Sequence, residues 1–152
     1  MTGPVFRFRL ERVRAVRERK EQLAQQELAS ALARRSSTEA QLLAVEANLE
    51  HARAEQRSAS SQSGTVSATE MLARQAFLER IEAQRGVHAR ELSQRDTEVA
   101  ASDAKLANAA SEHEMLNRLK ERHRGEHDRE SARREQGAID EIAVTRFGRS
   151  VT

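Results

Sequence analysis

The chain contains no cysteine, no tryptophan and no tyrosine, and its single proline is Pro4. The lack of cysteine excludes disulfides and thiolate metal or nucleophile sites, and it fits a reducing compartment. Aromatic residues make up only 3% of the sequence, and much of its 38% hydrophobic content is alanine, which buries little area per residue. The chain therefore has too few bulky side chains to build a globular core.

Long apolar segments are also missing. No run of about 18 apolar residues is present, so the sequence predicts no membrane-spanning helix. The first residues lack the apolar core of a signal peptide. We expect a cytosolic protein that reaches a membrane only through a partner. The formal net charge of +2 indicates no strong polyelectrolyte character overall.

What the sequence does have is a helical repeat. Charged residues reach 33%, and alanine, glutamate, glutamine, arginine and leucine, all strong helix formers, are abundant. A 3,4 spacing runs without a slip through Met71, Arg74, Leu78, Ile81, Arg85, His88, Leu92, Arg95, Val99, Ser102, Leu106, Ala109, His113 and Leu116. This period of 3.5 residues is typical of a left-handed coiled coil. Disorder is the alternative for so polar a chain, but the sustained repeat argues against it.

A coiled coil has no cavity in which to perform chemistry. The repeat therefore predicts a binding, lever or scaffold protein that is not an enzyme and needs no cofactor. We expect an all-α fold, a long antiparallel coiled-coil hairpin of two helices. The predicted segments are helix one over residues 5–57, a Ser-rich loop over 58–66, helix two over 67–143 and a flexible tail over 144–152.

Helix one has a less regular pattern than helix two. Its first residues alternate like a strand, and a helical stripe then follows Leu10, Val13, Val16 and Leu23. The stripe changes register near Ala24, where a four-residue step replaces a step of three. Such a stutter predicts local unwinding of the supercoil.

The loop position also predicts the helix register. Folding about the loop pairs positions whose numbers add to about 124, so that Leu42 lies near Ile81. Helix two then has no partner from about Lys120 onward and forms a C-terminal overhang. That overhang could self-associate or remain single, and the sequence leaves the oligomeric state open.

One motif has the spacing of a metal site. The segment His123-Arg124-Gly125-Glu126-His127 fits the pattern H-x-x-E-H, in which two histidines hold zinc and the glutamate acts as a base. No third ligand and no apolar wall accompany it. We predict no metal site and a solvated helix face, with adventitious metal binding by His123 and His127 as the open alternative. A zinc hydrolase is the least favoured function.

Arginines cluster near both ends of the chain, and the hairpin brings the two clusters together. The predicted basic tip consists of Arg12, Arg14, Arg17, Arg122 and Arg124. A positive tip indicates an acidic partner. No aromatic residues suited to base stacking are interleaved with the arginines, so we expect a protein partner and no nucleic acid. The alternative is a generic coiled-coil scaffold or a basic rod associated with nucleic acid.

A second candidate surface lies on helix two. Phe77, Ile81, Gln84 and His88 share one helical stripe. Phe77 falls beside the repeat, so it is either a flank that packs on helix one or an exposed binding hot spot.

Several segments carry a family resemblance. They are Phe6-x-Phe8-Arg9-Leu10-Glu11-Arg12-Val13, Gln41-Leu42, Phe77-Leu78-x-x-Ile81 with Gln84 and His88, Leu119-Lys120-Glu121-Arg122, Arg133-Arg134-Glu135-Gln136 and Asp140-Glu141-Ile142-Ala143. Together they resemble the FliJ family, the small chaperone and stalk proteins of the bacterial flagellar type III export apparatus. The similarity covers nearly the whole chain.

The resemblance implies a hairpin similar to the central stalk of rotary ATPases. Its terminal tip would enter the ring of the export ATPase, and its helix-two stripe of Phe77, Ile81, Gln84 and His88 would bind the cytoplasmic domain of the export gate. Export chaperones are further implied partners, and the protein would associate peripherally with the inner membrane through the apparatus, without inserting into it. Val45 and Asn48 stand where some family members carry aromatic residues.

Overall fold

The computed structural model describes residues 5–61, 64 and 66–149. Nearly all of them belong to two helices, α1 from Glu11 to Ser61 and α2 from Ala68 to Arg149, and these described residues include no strand. The predicted all-α class with two long helices is confirmed. Neither helix, over its described length, is apolar enough to cross a bilayer.

The chain divides into two compact units, and each contains a segment of both helices. We call Met1–Gln22 with Ala107–Thr152 the terminal unit, and Leu23–Leu106 the loop unit. Within each unit the segments of α1 and α2 run antiparallel, because cross-helix contacts join early residues of one to late residues of the other.

Helix α1 begins at Glu11, six residues after the predicted start. The first helical hydrogen bond runs from the Arg14 amide to the Leu10 carbonyl at 2.9 Å, and the Glu11 amide donates to the Phe8 carbonyl at 3.2 Å. Residues 5–8 have no regular structure. Phe6 and Phe8 in this segment contact rings on α2 instead of taking part in α1.

The helix ends lie further along the chain than the sequence predicts. Helix α1 continues to Ser61, and the Ser60 and Ser61 hydroxyls donate to the carbonyls four residues earlier at 2.8 and 2.9 Å. Of the predicted loop, residues 62, 63 and 65 lie outside the described residues. Helix α2 begins directly after Ser67, whose carbonyl accepts the Met71 amide at 3.1 Å. It continues past residue 143 to Arg149, and residues 150–152 of the predicted tail lie outside the description.

The buried face of α1 follows one unbroken repeat. Ala24, Ala31, Thr38, Leu49 and Ala52 are buried, all in 3,4 register, and Leu49 and Ala52 pack with Ile81, Val45 and Leu78 in the loop unit. The predicted stutter near Ala24 is therefore wrong. The same spacing extends back through Glu21, Arg17 and Arg14, whereas Val13, Val16 and Leu23 are 44, 67 and 51% exposed. The prediction followed the hydrophobic side chains, whereas the interface between the two helices, which we call the seam, here consists of small and charged residues.

The helix register differs from the prediction by one heptad. Arg35 lies beside Asp96 and Glu46 beside Arg85, so paired residue numbers add to 131 rather than about 124. When one helix shifts by seven residues, each of its 3,4 positions still faces a 3,4 position of the other helix. The repeat alone therefore does not distinguish the two registers. In the terminal unit Lys120 pairs with Glu11. The unpaired end of α2 accordingly begins later than Lys120, and residues 132–147 are all exposed.

Candidate functional surfaces

In the terminal unit, Glu112 on α2 links to two cations on α1. Its Oε2 atom accepts hydrogen bonds from Arg17 Nη1 at 2.6 Å and from Lys20 Nζ at 3.2 Å. The Lys20 hydrogen bond, with the positive charge of Arg17, holds the pKa of Glu112 below its usual value. Since these contacts join the two helices, Arg17 belongs to the helix seam.

His113 lies at the centre of the same seam. Its Nε2 atom is 3.4 Å from Arg14 Nη1 and 3.3 Å from Asn117 Nδ2, while its Nδ1 atom is 2.6 Å from Glu21 Oε2. A guanidinium can only donate, so Nε2 accepts and the Nδ1–H group donates to Glu21. The side chains of His113 and Glu21 are 16 and 23% exposed, which makes this a partly buried polar layer.

Arg14 extends that layer toward the N-terminus. Its guanidinium pairs with Glu11 at 2.8 Å, and Lys120 reaches the other oxygen of Glu11 at 2.8 Å. Hydrogen bonds from Arg14 and Lys120 lower the pKa of Glu11, and the Glu11 carboxylate raises the pKa of Arg14. Together with its contact to His113, these bonds place Arg14 in the interface between α1 and α2.

The five predicted tip arginines therefore separate into two groups. Arg14 and Arg17 are engaged in the seam, whereas Arg12, Arg122 and Arg124 are exposed, and within the described residues no carboxylate pairs with them. Further exposed arginines of the terminal unit that lack an ion pair among the described residues are Arg7, Arg9, Arg19, Arg129, Arg133 and Arg146. Following the 3,4 spacing back from Ala24 would have assigned Arg14 and Arg17 to the seam from the sequence.

The two histidines of the H-x-x-E-H motif contact aromatic rings. The Phe8 ring lies 5.9 Å from the His123 ring at 67°, and the Phe6 ring lies 5.6 Å from the His127 ring at 59°. Residues one helical turn apart on α2 thereby meet residues two positions apart in the segment that precedes α1. His123 nevertheless remains exposed, as a solvated face requires, while the His127 side chain is 29% exposed. Among the described residues no group of three metal-binding side chains occurs.

The predicted gate-binding stripe is not a single surface. Phe77 is 52% exposed and Gln84 is exposed, but Ile81 is only 6% exposed and packs into the core of the loop unit. The His88 side chain is 27% exposed, with its Nδ1 atom 3.7 Å from Glu91. Phe77 and Gln84 are thus available to a partner, while Ile81 between them is buried against α1.

An open groove adjoins Phe77 in the loop unit. It has a volume of about 560 Å³, and its walls include His51, Glu55, Arg74, Phe77 and Leu78. Phe77 forms part of one wall, so a partner side chain could contact the ring face there. An exposed aromatic beside a groove is a common site of binding energy in protein interfaces.

Comparison with known proteins returned one family. The family model described as "Flagellar FliJ protein" matches residues 6–152. Searches of the curated proteins and of the solved structures gave no significant match.

Proposed function

Because the chain belongs to the FliJ family of flagellar export components, we propose that it is a non-enzymatic stalk that couples the export ATPase to the export gate. The terminal unit would sit in the ATPase ring and the loop unit would contact the cytoplasmic domain of the gate. We further propose that it works in the cytoplasm, reaches the inner membrane only through the apparatus and also meets export chaperones.

The observation that supports ring binding is the set of unpaired arginines in the terminal unit. Arg12, Arg122 and Arg124 are exposed with no carboxylate partner among the described residues. Arg12 follows Glu11, whose carboxylate meets Lys120, so these arginines lie within about two helical turns of one another. Such a concentration of positive charge attracts an acidic pore and increases the association rate.

The seam explains how this end of the protein could transmit force. Ion pairs and hydrogen bonds from Arg14, Arg17 and Glu21 tie α1 to α2 where large apolar side chains are scarce. Polar pairs that must match across a helix interface favour one register. A change at the ATPase would then move both helices together.

The gate would bind the loop unit beside Phe77. Its ring is 52% exposed next to the open groove, and Gln84 extends the same side of α2. Truncation of an aromatic hot spot typically costs about 2 kcal/mol of binding free energy. Phe77→Ala should therefore weaken gate binding by that amount, whereas Gln84→Ala should have a smaller effect.

Charge reversal of the unpaired arginines tests ring binding. The triple variant Arg12→Glu, Arg122→Glu and Arg124→Glu should bind the assembled ATPase roughly 3- to 150-fold more weakly, since three exposed ion pairs at ~0.2–1 kcal/mol each sum to ~0.6–3 kcal/mol. Helicity by circular dichroism should stay unchanged, because none of the three supports the seam. Reversal at Arg14 or Arg17 is a poor test, because it would also break the helix pairing.

Arg57→Glu is the matched control, since Arg57 is an exposed arginine of the loop unit. It should bind the ring like the unaltered chain. Equal binding by the triple variant would refute the assignment of the tip. Binding to nucleic acid with a steep salt dependence, and none to the ATPase, would favour the basic-rod alternative.

A further inference from the structure

The last turns of α2 carry an exposed stripe that no other described part of the chain covers. Ile139 is 60% and Ile142 is 56% exposed, and Glu135 and Arg146 continue the stripe by one turn on either side. The four positions follow the spacing 4,3,4, which keeps them on one face of a helix. Two adjacent isoleucines on an unpaired helix form half of a coiled-coil core.

The two ends of the stripe, Glu135 and Arg146, carry opposite charges that have no described partner. Within the described residues neither Glu135 nor Arg146 makes an ion pair, although nearby Arg134 and Asp140 have partners on their own helix. Glu135 and Arg146 are eleven residues apart, about 16 Å along the axis, which is too far for them to pair within one helix. Their natural partners are charges on another chain.

We infer that this stripe is a self-association surface, on which a second copy of the same chain docks antiparallel. In that arrangement Ile139 of each copy packs on Ile142 of the other, and Glu135 of each copy meets Arg146 of the other. Two apolar layers are then flanked by two ion pairs. The parallel arrangement would place Glu135 against Glu135 and Arg146 against Arg146, which is repulsive at both ends.

The neighbouring residues suit a close helix pair. Ala132, Ala138 and Ala143 border the stripe and are exposed. Small side chains at these positions let two backbones approach. Asp140 and Glu141 lie more than 100° around the helix from the stripe, so their like charges stay outside the contact.

The interface is small, because it uses four core positions per chain. Its area lies below the ~1,000 Å² of stable complexes, so the dimer is weak, with a dissociation constant on the order of 100 µM. The four stripe residues lie in the terminal unit, but none of them is one of the arginines proposed to bind the ring, Arg12, Arg122 and Arg124. Self-association of the isolated chain can therefore be measured without the ATPase, and its failure is distinguishable from a failure of ring binding.

Sedimentation velocity of the full chain, from about 1 µM to 1 mM, tests the dimer. The unaltered chain should move from monomer to dimer over this range. The double variant Ile139→Ser and Ile142→Ser should remain monomeric with unchanged helicity, because both side chains are exposed. A monomer at every concentration in the unaltered chain would overturn the inference.

Charge exchange tests the antiparallel geometry. Glu135→Arg and Arg146→Glu should each weaken association at least about fivefold, because each places like charges together twice per dimer. A mixture of the two single variants should associate about as well as the unaltered chain, since both ion pairs are restored in the heterodimer. The double exchange in one chain should also restore self-association. Failure of both rescues would refute the antiparallel pairing.

Discussion

Replacement of Ile81 by alanine should destabilise the loop unit substantially, although its exposed neighbour Phe77 tolerates the same change. Ile81 is 6% exposed and packs against Leu49, Ala52, Val45 and Leu78. The substitution removes three carbon atoms, worth about 0.8 kcal/mol each in burial. Val45 and Leu78 are only partly buried, so the seam can relax and limit the cavity. We expect a loss of about 2–3 kcal/mol in the free energy of unfolding.

The assay is urea unfolding followed by circular dichroism, with Phe77→Ala as the paired variant. Phe77 is 52% exposed, so its truncation should cost under ~1 kcal/mol of stability. It should instead weaken binding to the gate domain, as proposed above. The reasoning would be refuted if Phe77→Ala unfolded at the lower urea concentration while Ile81→Ala unfolded normally. In that case Phe77 would be the core residue and the binding assignment would lose its basis.

The terminal unit offers three further tests. The free energy of unfolding, measured by urea titration, should be level above about pH 5 and fall as the pH drops through 4.5 and below. The reason is that the pKa values of Glu11 and Glu112 are lowered in the folded state, and protonation of these carboxylates releases their ion pairs. A flat profile down to about pH 3 would contradict this. Gly125→Ala should stabilise α2 by up to about 1 kcal/mol in thermal melts, since an added Cβ meets nothing within 4 Å, and a lower melting temperature would mean that the site is packed. Phe8→Ala should remove the ring contact to His123 and speed hydrogen exchange at the Glu11 and Arg14 amides, which donate to the Phe8 and Leu10 carbonyls, while exchange in the loop unit stays the same. Unchanged exchange at these two amides would show that the ring contact does not hold the start of α1.

The sequence by itself determined the class of fold and the seam of α2. Helix formers and an unbroken 3,4 repeat specify a long amphipathic helix through local interactions alone, and Ile81 and Ala109 of that repeat are buried as a seam requires. The family could also be recognised, because its segments are spread along nearly the whole chain and the matching family model spans residues 6–152. The exposure of Phe77 was left open, because a position beside the repeat can either pack or face solvent.

Only the tertiary structure decided the register and the roles of the arginines. Two registers that differ by one heptad match the same 3,4 positions, and the choice rests on cross-helix pairs such as Arg35 with Asp96, which have no local pattern in the sequence. Arg14 falls on the 3,4 spacing and Arg12 does not, but only the structure gives their partners: Arg12 is unpaired among the described residues, whereas Arg14 meets Glu11 and His113. The contacts of Arg14 with His113 and of Arg17 with Glu112 form only when the opposite helix is in place, because these residues are 99 and 95 positions apart in the sequence.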